Sequence, residues 1–150
     1  MRAVIQRVSK AHVTVDGVIT GNIGSGLVVL LGMDPDDGDT DLEFMKRKLL
    51  NLRIFSDENG KFNLSLSDIG GEILLISQFT LFGDCRKGNR PSFSRAASPE
   101  LADRLYENLL GLLKGAGIRV ASGIFGAHME VSILNDGPVT LIVDSRKKIY

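Results

Sequence analysis

The sequence predicts an α+β fold: a curved, largely antiparallel β-sheet with a barrel-like core and two main helices, in a single domain over residues 1–150. Three observations predict it. Strand-like apolar runs recur at both ends and in the middle of the chain. Two stretches of helical apolar spacing interrupt them. The strands cluster instead of alternating regularly with helices. A hydrophobic fraction of 43% supplies enough apolar surface for a packed core.

Ala3–Val8 and His12–Val15 alternate apolar and polar positions, as half-buried strands do. Asp16-Gly17 is a hairpin-turn pair, since glycine tolerates positive φ, and Val18–Gly21 returns as a strand. Gly24-Ser25-Gly26 turns the chain into Leu27–Leu31, apolar throughout and so expected to be buried on both faces. Asp34–Thr40 is a polar loop. Thr40 and Glu43 stand at capping-box spacing, and Leu42, Met45, Leu49 and Leu52 share one helical face, so a helix is expected over 41–52. Asn59-Gly60 marks a turn, and Gly70-Gly71 precedes Ile73–Phe82, which reads as one buried strand. Gly83–Ala97 is a long loop. Ser98, Pro99 and Glu100 then supply an N-cap, a first-turn proline and an early acid for a helix with the stripe Leu101, Leu105, Leu109 and Leu112, ending near Gly115-Ala116-Gly117. Ile118–Val120, Met129–Leu134 and Val139–Val143 read as strands, with Asn135–Pro138 as a turn between the last two.

Formal net charge is zero, which argues against a general duplex-DNA or membrane-surface binder. The single cysteine, Cys85, forms no intrachain disulfide, and this fits a reducing, cytoplasmic setting. Two histidines and one cysteine are too few for the usual structural zinc sets, so neither metal nor cofactor is expected. No signal pattern opens the chain, and no apolar run nears the ~20 residues of a membrane span. Nucleophile-elbow, zincin and P-loop motifs are absent, and the Gly-rich Gly21–Gly26 matches no phosphate-binding fingerprint.

The anomaly is Ser77, Gln78 and Thr80 inside an otherwise apolar run. Unpartnered burial of such groups costs ~1–3 kcal/mol each. Strand alternation puts Ser77 and Phe79 on one face and Gln78 and Thr80 on the other, so a regular strand cannot aim Ser77 and Thr80 at one point. Two readings fit. Either the strand ends or bulges here and its backbone is the working part, or the three side chains are simply hydrogen-bonded in the core. The following loop carries Arg86, Lys87, Arg90 and Arg95 around Phe93, which suits a phosphate backbone and a stacked base, and equally a solvated loop. Arg146-Lys147-Lys148 is a second basic group. His128 is read as a structural residue of a strand, and Cys85 lacks an evident histidine partner for catalysis.

Ser77-Gln78-Phe79-Thr80-Leu81 together with Asn135-Asp136-Gly137-Pro138-Val139-Thr140 resembles the motif pair of the D-aminoacyl-tRNA deacylases. The opening Met1–Val8 and Arg90-Pro91-Ser92-Phe93 resemble the same family, and the resemblance covers the whole chain. It implies hydrolysis of the ester joining a D-amino acid, or misattached glycine, to the 3′-terminal adenosine of tRNA, by a homodimer with active sites at its interface. It places Ser77, Gln78, Phe79 and Thr80 at the reaction centre and Phe125 and Met129 in the pocket. It makes Gly137-Pro138 a cis peptide reaching into the partner's pocket to reject L side chains. Arg86, Lys87, Arg90 and Phe93 are candidates for holding tRNA. The main chain around Phe79 and Thr80 is the expected oxyanion donor; Thr80 as a nucleophile is the rival. A non-catalytic nucleic-acid-binding module and a hydrolase of small amino-acid esters are the alternatives.

Overall fold

The computed structural model describes residues 1–146; Lys147 and Lys148 of the basic tail lie outside the described residues. Eight strands and three helices follow in the order β1 (Arg2–Val15), β2 (Val18–Ile23), β3 (Gly26–Gly32), α1 (Asp39–Asn51), β4 (Phe55–Ser56), β5 (Phe62–Leu64), α2 (Leu66–Ile69), β6 (Glu72–Ser77), α3 (Pro99–Gly115), β7 (Val120–Ser122) and β8 (Glu130–Asp144).

The long β1 organises the sheet. Its first half pairs antiparallel with β3 and its second half with β2, while β8 pairs antiparallel along the other edge. Beyond β3, the strands β6 and β7 continue the sheet in parallel. The α+β, barrel-like expectation therefore holds, with mostly antiparallel pairing. Parallel neighbours cannot be joined by a hairpin. Accordingly α1 lies in the connection from β3 to β6, and α3 in that from β6 to β7, so this half does alternate strand and helix. Curvature brings β2 close to β7: a Cβ at Gly21 would stand 2.6 Å from the Ser122 carbonyl oxygen, so only glycine permits the near-closure.

Leu27, Val28, Val29 and Leu31 of β3 are fully buried, as expected of a strand covered on both faces. On one side it meets Leu42, Met45 and Leu49 of α1 and Leu105, Leu109 and Leu113 of α3. On the other, Val28 joins Val8, Val13, Ile23, Leu74 and Ile76 inside the barrel. Full burial of each large aliphatic side chain contributes ~1.5–3 kcal/mol, so both layers are needed. No helix among the described residues is long and apolar enough to cross a membrane.

Several expectations need correction. The first helix starts at Asp39, with Gly38 at the cap, because the Asp41 carboxylate accepts the Gly38 N–H at 3.0 Å; Thr40 and Glu43 do not form the box. The short α2 escaped prediction, although Ser65 and Asp68 cap it reciprocally: Asp68 accepts the Ser65 N–H at 2.8 Å and Ser65 Oγ accepts the Asp68 N–H at 3.2 Å. The strand expected to run to Phe82 ends at Ser77, and Phe79–Phe82 forms a 3-10 turn. Asn135–Pro138 is no turn between two strands. β8 runs straight through it: Gln6 faces Thr140 and Val8 faces Asn135, so Arg7 alone stands opposite Asp136–Val139. The strand forms there an enlarged bulge of four residues against one.

Candidate active site at the end of β6

Leaving β6, the chain keeps one further sheet contact, the Gln78 N–H to Leu31 O at 2.7 Å, and then coils into the Phe79–Phe82 turn. Its carbonyls at Gln78 and Thr80 accept from Leu81 and Gly83 at 3.3 and 2.9 Å. The first N–H groups of such a turn have no partner within it. Those of Phe79 and Thr80 meet no acceptor elsewhere among the described residues either, and both residues are exposed. Gln78 donates its side-chain N–H to Thr80 Oγ1, while Thr80, unlike Ser77, does not border the adjoining cavity, so the two hydroxyls are not brought to one point there.

Ser77, Gln78 and Phe79 border a cavity of about 560 Å³ that runs between β6, the start of α3 and the β7–β8 connection. Leu31 and Met33 contribute from β3 and its exit, and Phe125 and Met129 from the β7–β8 connection. Two ring contacts hold its rim and floor. Phe79, 57% exposed, meets Phe93 edge-on with ring centroids 5.1 Å apart, and Phe125 leans on the buried Tyr106 at 5.9 Å. The Tyr106 hydroxyl donates to the Leu75 carbonyl at 2.8 Å, and burial pushes its pKa up to about 12. Met129 owes its seat to Gly123, where a Cβ would lie only 2.3 Å from the Met129 sulfur. His128, read from sequence as a strand residue, is exposed in the connection before β8 and borders the same cavity. Gly123 and Gly126, a few residues before it, were the signal for a loop.

The loop after the turn is tied at its base, where Asp84 and Ser92 exchange backbone hydrogen bonds at 2.7 and 3.0 Å. Arg86 folds back on Asp84, its Nε 2.9 and 3.1 Å from the two carboxylate oxygens, and holds that carboxyl well below the usual carboxylate range. Lys87 and Arg90 are exposed and do not border the cavity; Phe93 does.

Gly137 and Pro138 stand apart from the cavity of their own chain. Both are exposed on the β8 bulge, and their peptide is cis. Arg7 braces the bulge from beneath: Nε donates to the Asp136 carbonyl at 3.1 Å, Nη1 to the Ile54 carbonyl at 2.7 Å, and the guanidinium lies 5.2 Å from the Phe62 ring centroid. Asn135 closes it from above, its Oδ1 accepting the Val139 N–H at 3.2 Å and its Nδ2 donating to Thr140 Oγ1 at 3.0 Å. Sequence reasoning singled out neither Arg7 nor Asn135 as a brace.

Comparison with known proteins adds a second line. The family described as D-Tyr-tRNA(Tyr) deacylase matches residues 4–144. A D-aminoacyl-tRNA deacylase of Thermosipho africanus is 57% identical over 98% of this chain and 99% of its own length. One from Clostridioides difficile is 59% identical over the same shares. Among solved structures, a c-Myc DNA unwinding element binding protein superposes with a TM-score of 0.90 at 46% identity, over 96% of this chain and 98% of that one. A probable eukaryotic D-amino acid tRNA deacylase shares the fold with a TM-score of 0.79 at 22% identity, over 95% of this chain and 97% of that one.

Proposed function

The chain belongs to the D-aminoacyl-tRNA deacylase family, and from that premise we propose that it hydrolyses the ester between a D-amino acid, or glycine, and the 3′-terminal adenosine of tRNA. The observation that carries the reading is the abrupt end of β6, which leaves the Phe79 and Thr80 N–H groups without acceptors beside a cavity of about 560 Å³. Two fixed donors there suit the oxyanion of a tetrahedral intermediate. An aminoacyl ester is already activated, and its ribose carries a neighbouring 2′-hydroxyl. Positioning plus oxyanion stabilisation then suffices without a triad. The Thr80 hydroxyl is hydrogen-bonded to the Gln78 amide, which is no base, so Thr80 positions and does not attack. Ser77 and Gln78 border the reaction centre, and Phe125 and Met129 shape the substrate's seat.

Gly137 and Pro138 act as the chirality filter, in the cavity of a second copy. Their exposure, and their distance from the cavity of their own chain, support a homodimer. So does the apolar surface beside them: Leu134 on β8 is 53% and Phe62 56% exposed. Main-chain atoms make a stiffer filter than side chains, which escape a clash by changing rotamer. Lys87, Arg90 and the Arg86 region meet the tRNA, in the cytoplasm. The test is hydrolysis of matched D-, L- and glycyl-tRNA by the purified protein. D- and glycyl-tRNA are deacylated and L-tRNA is spared; equal rates on D- and L-esters refute the filter. Binding of tRNA without release of amino acid establishes instead a non-catalytic nucleic-acid module.

A further inference from the structure

On the far side of the Phe79–Phe82 turn lies a second depression, about 300 Å³, which the ester chemistry does not use. Three guanidinium groups border it: Arg2, Arg86 and Arg95. Arg2 is pinned. Its Nε reaches Asp144 at 3.1 Å, its Nη1 donates to the Leu81 carbonyl at 2.8 Å, and its plane sits 4.9 Å from the Phe82 ring centroid. Its Nη2 makes no hydrogen bond among the described residues. Arg86, with its side chain 81% exposed, is turned by Asp84, and Arg95 makes neither a hydrogen bond nor an ion pair among the described residues. Asp84 borders the groove and Asp144 backs Arg2, so three cations face two carboxylates and the groove keeps a positive excess. Gathering like charges costs energy that one solvated arginine does not incur.

A guanidinium plane presents paired donors that match phosphate oxygens, and several converging on one depression make a phosphate seat. The groove and the large cavity share the four-residue turn as a common wall: Phe79 borders the cavity and Phe82 the groove. Three steps of a 3-10 helix span ~6 Å, so an anion here neighbours a nucleoside bound there. We propose that this groove holds a phosphodiester of the RNA single strand whose terminal nucleoside occupies the adjoining cavity. The assignment rests on the deacylase function and adds the subsite that receives the strand leading to the ester.

The test compares D-aminoacyl esters of adenosine alone and of cytidylyl-cytidylyl-adenosine, on the wild-type protein and on an Arg86→Gln, Arg95→Gln double variant whose fold is verified by its melting curve. In the wild type the trinucleotide ester has at least a tenfold lower KM than the adenosine ester. The double variant loses most of that advantage, and its log KM against log salt flattens by ~0.7 for each phosphate contact removed. A variant that keeps the advantage and the slope, or that suffers equally on both esters, overturns the subsite. A wild type that cleaves neither ester is assayed on D-aminoacyl-tRNA, and failure there refutes the deacylase function instead. The groove is then judged by binding of the uncharged trinucleotide, and an unaltered salt slope in the variant overturns it. Inorganic phosphate that competes as well as the trinucleotide also overturns it, by showing a seat for a free anion.

Discussion

Replacing Tyr106 by Phe produces a stability difference that changes sign with pH. Tyr106 is 2% exposed, and its hydroxyl donates to the Leu75 carbonyl at 2.8 Å, in the strand that ends at the active site. At neutral pH the variant loses that hydrogen bond, a net cost of ~1 kcal/mol. For a chain of this size, that is a fall in Tm of roughly 2–5 °C. In alkali a second effect enters. Burial raises the phenol from its ordinary 10.0 to about 12 in the folded protein, while the unfolded chain keeps the ordinary value. A folded pKa above the unfolded one contributes stability that is intact below the unfolded pKa and is lost as pH rises through the folded pKa. The loss grows at ~1.36 kcal/mol per pH unit above 10. It cancels the hydrogen bond near pH ~10.7, and beyond that point the Phe variant is the more stable protein. Every other group is common to both proteins and drops out of the difference. Urea melts of both proteins from pH 7 to 11.5 measure it directly. A difference that stays constant across that range refutes the burial argument.

Three further outcomes are expected. Thr80→Ala keeps deacylation within roughly tenfold, because its hydroxyl has no base; removal of a true nucleophile typically costs several orders of magnitude, and a loss of that size with tRNA binding intact establishes Thr80 as one. In Gly123→Ala the new Cβ would lie 2.3 Å from the Met129 sulfur, so the sulfur retreats by ~1.2–1.7 Å to normal contact; KM for D-aminoacyl-tRNA rises several-fold, and an unchanged KM shows that Met129 does not border the bound substrate. Burial pushes the Glu72 carboxyl up, but the Gly24 N–H at 2.8 Å and the Arg119 guanidinium outweigh it and hold the pKa below its ordinary 4.5. The stabilisation is therefore present above pH ~4.5 and lost as pH falls through the folded pKa, so the gap between wild type and Glu72→Gln in urea melts closes in acid; a gap constant from pH 7 to 3 contradicts this.

Local chemistry was readable wherever neighbours in sequence decide the structure. Ser98, Pro99 and Glu100 announced α3, and Asp16-Gly17 announced the first hairpin. The polar cluster at Ser77–Thr80 marked the site, but not its shape: Phe-Thr-Leu-Phe has the alternation and apolar content of a strand, and only the partners beyond Ser77 decide that it coils instead. Ser65 and Asp68 did carry a capping signal, hidden in a helix of four residues. The crossovers through α1 and α3 were missed because β4, β5 and α2 intervene between α1 and β6, and the stretch 78–98 separates β6 from α3. The bulge at Asp136–Val139 could not be read at all. It depends on Arg7, a residue more than a hundred positions earlier, standing alone opposite four residues of β8.

The ladder between β1 and β8 also sets an order of events. It pairs Arg2 with Asp144 and Thr14 with Glu130, joining residues more than a hundred positions apart, the first of each pair synthesised well before the second. Closing so long a loop is entropically costly before any contact repays it, and sheets built on such distant pairings form slowly, in milliseconds to seconds. Until β8 emerges, β1 therefore waits with one edge open, its Val4, Ile5, Val8 and Val13 available to any other extended chain. Folding becomes a race between the arrival of β8 and the approach of a neighbour, and crowded synthesis shifts the odds toward the neighbour.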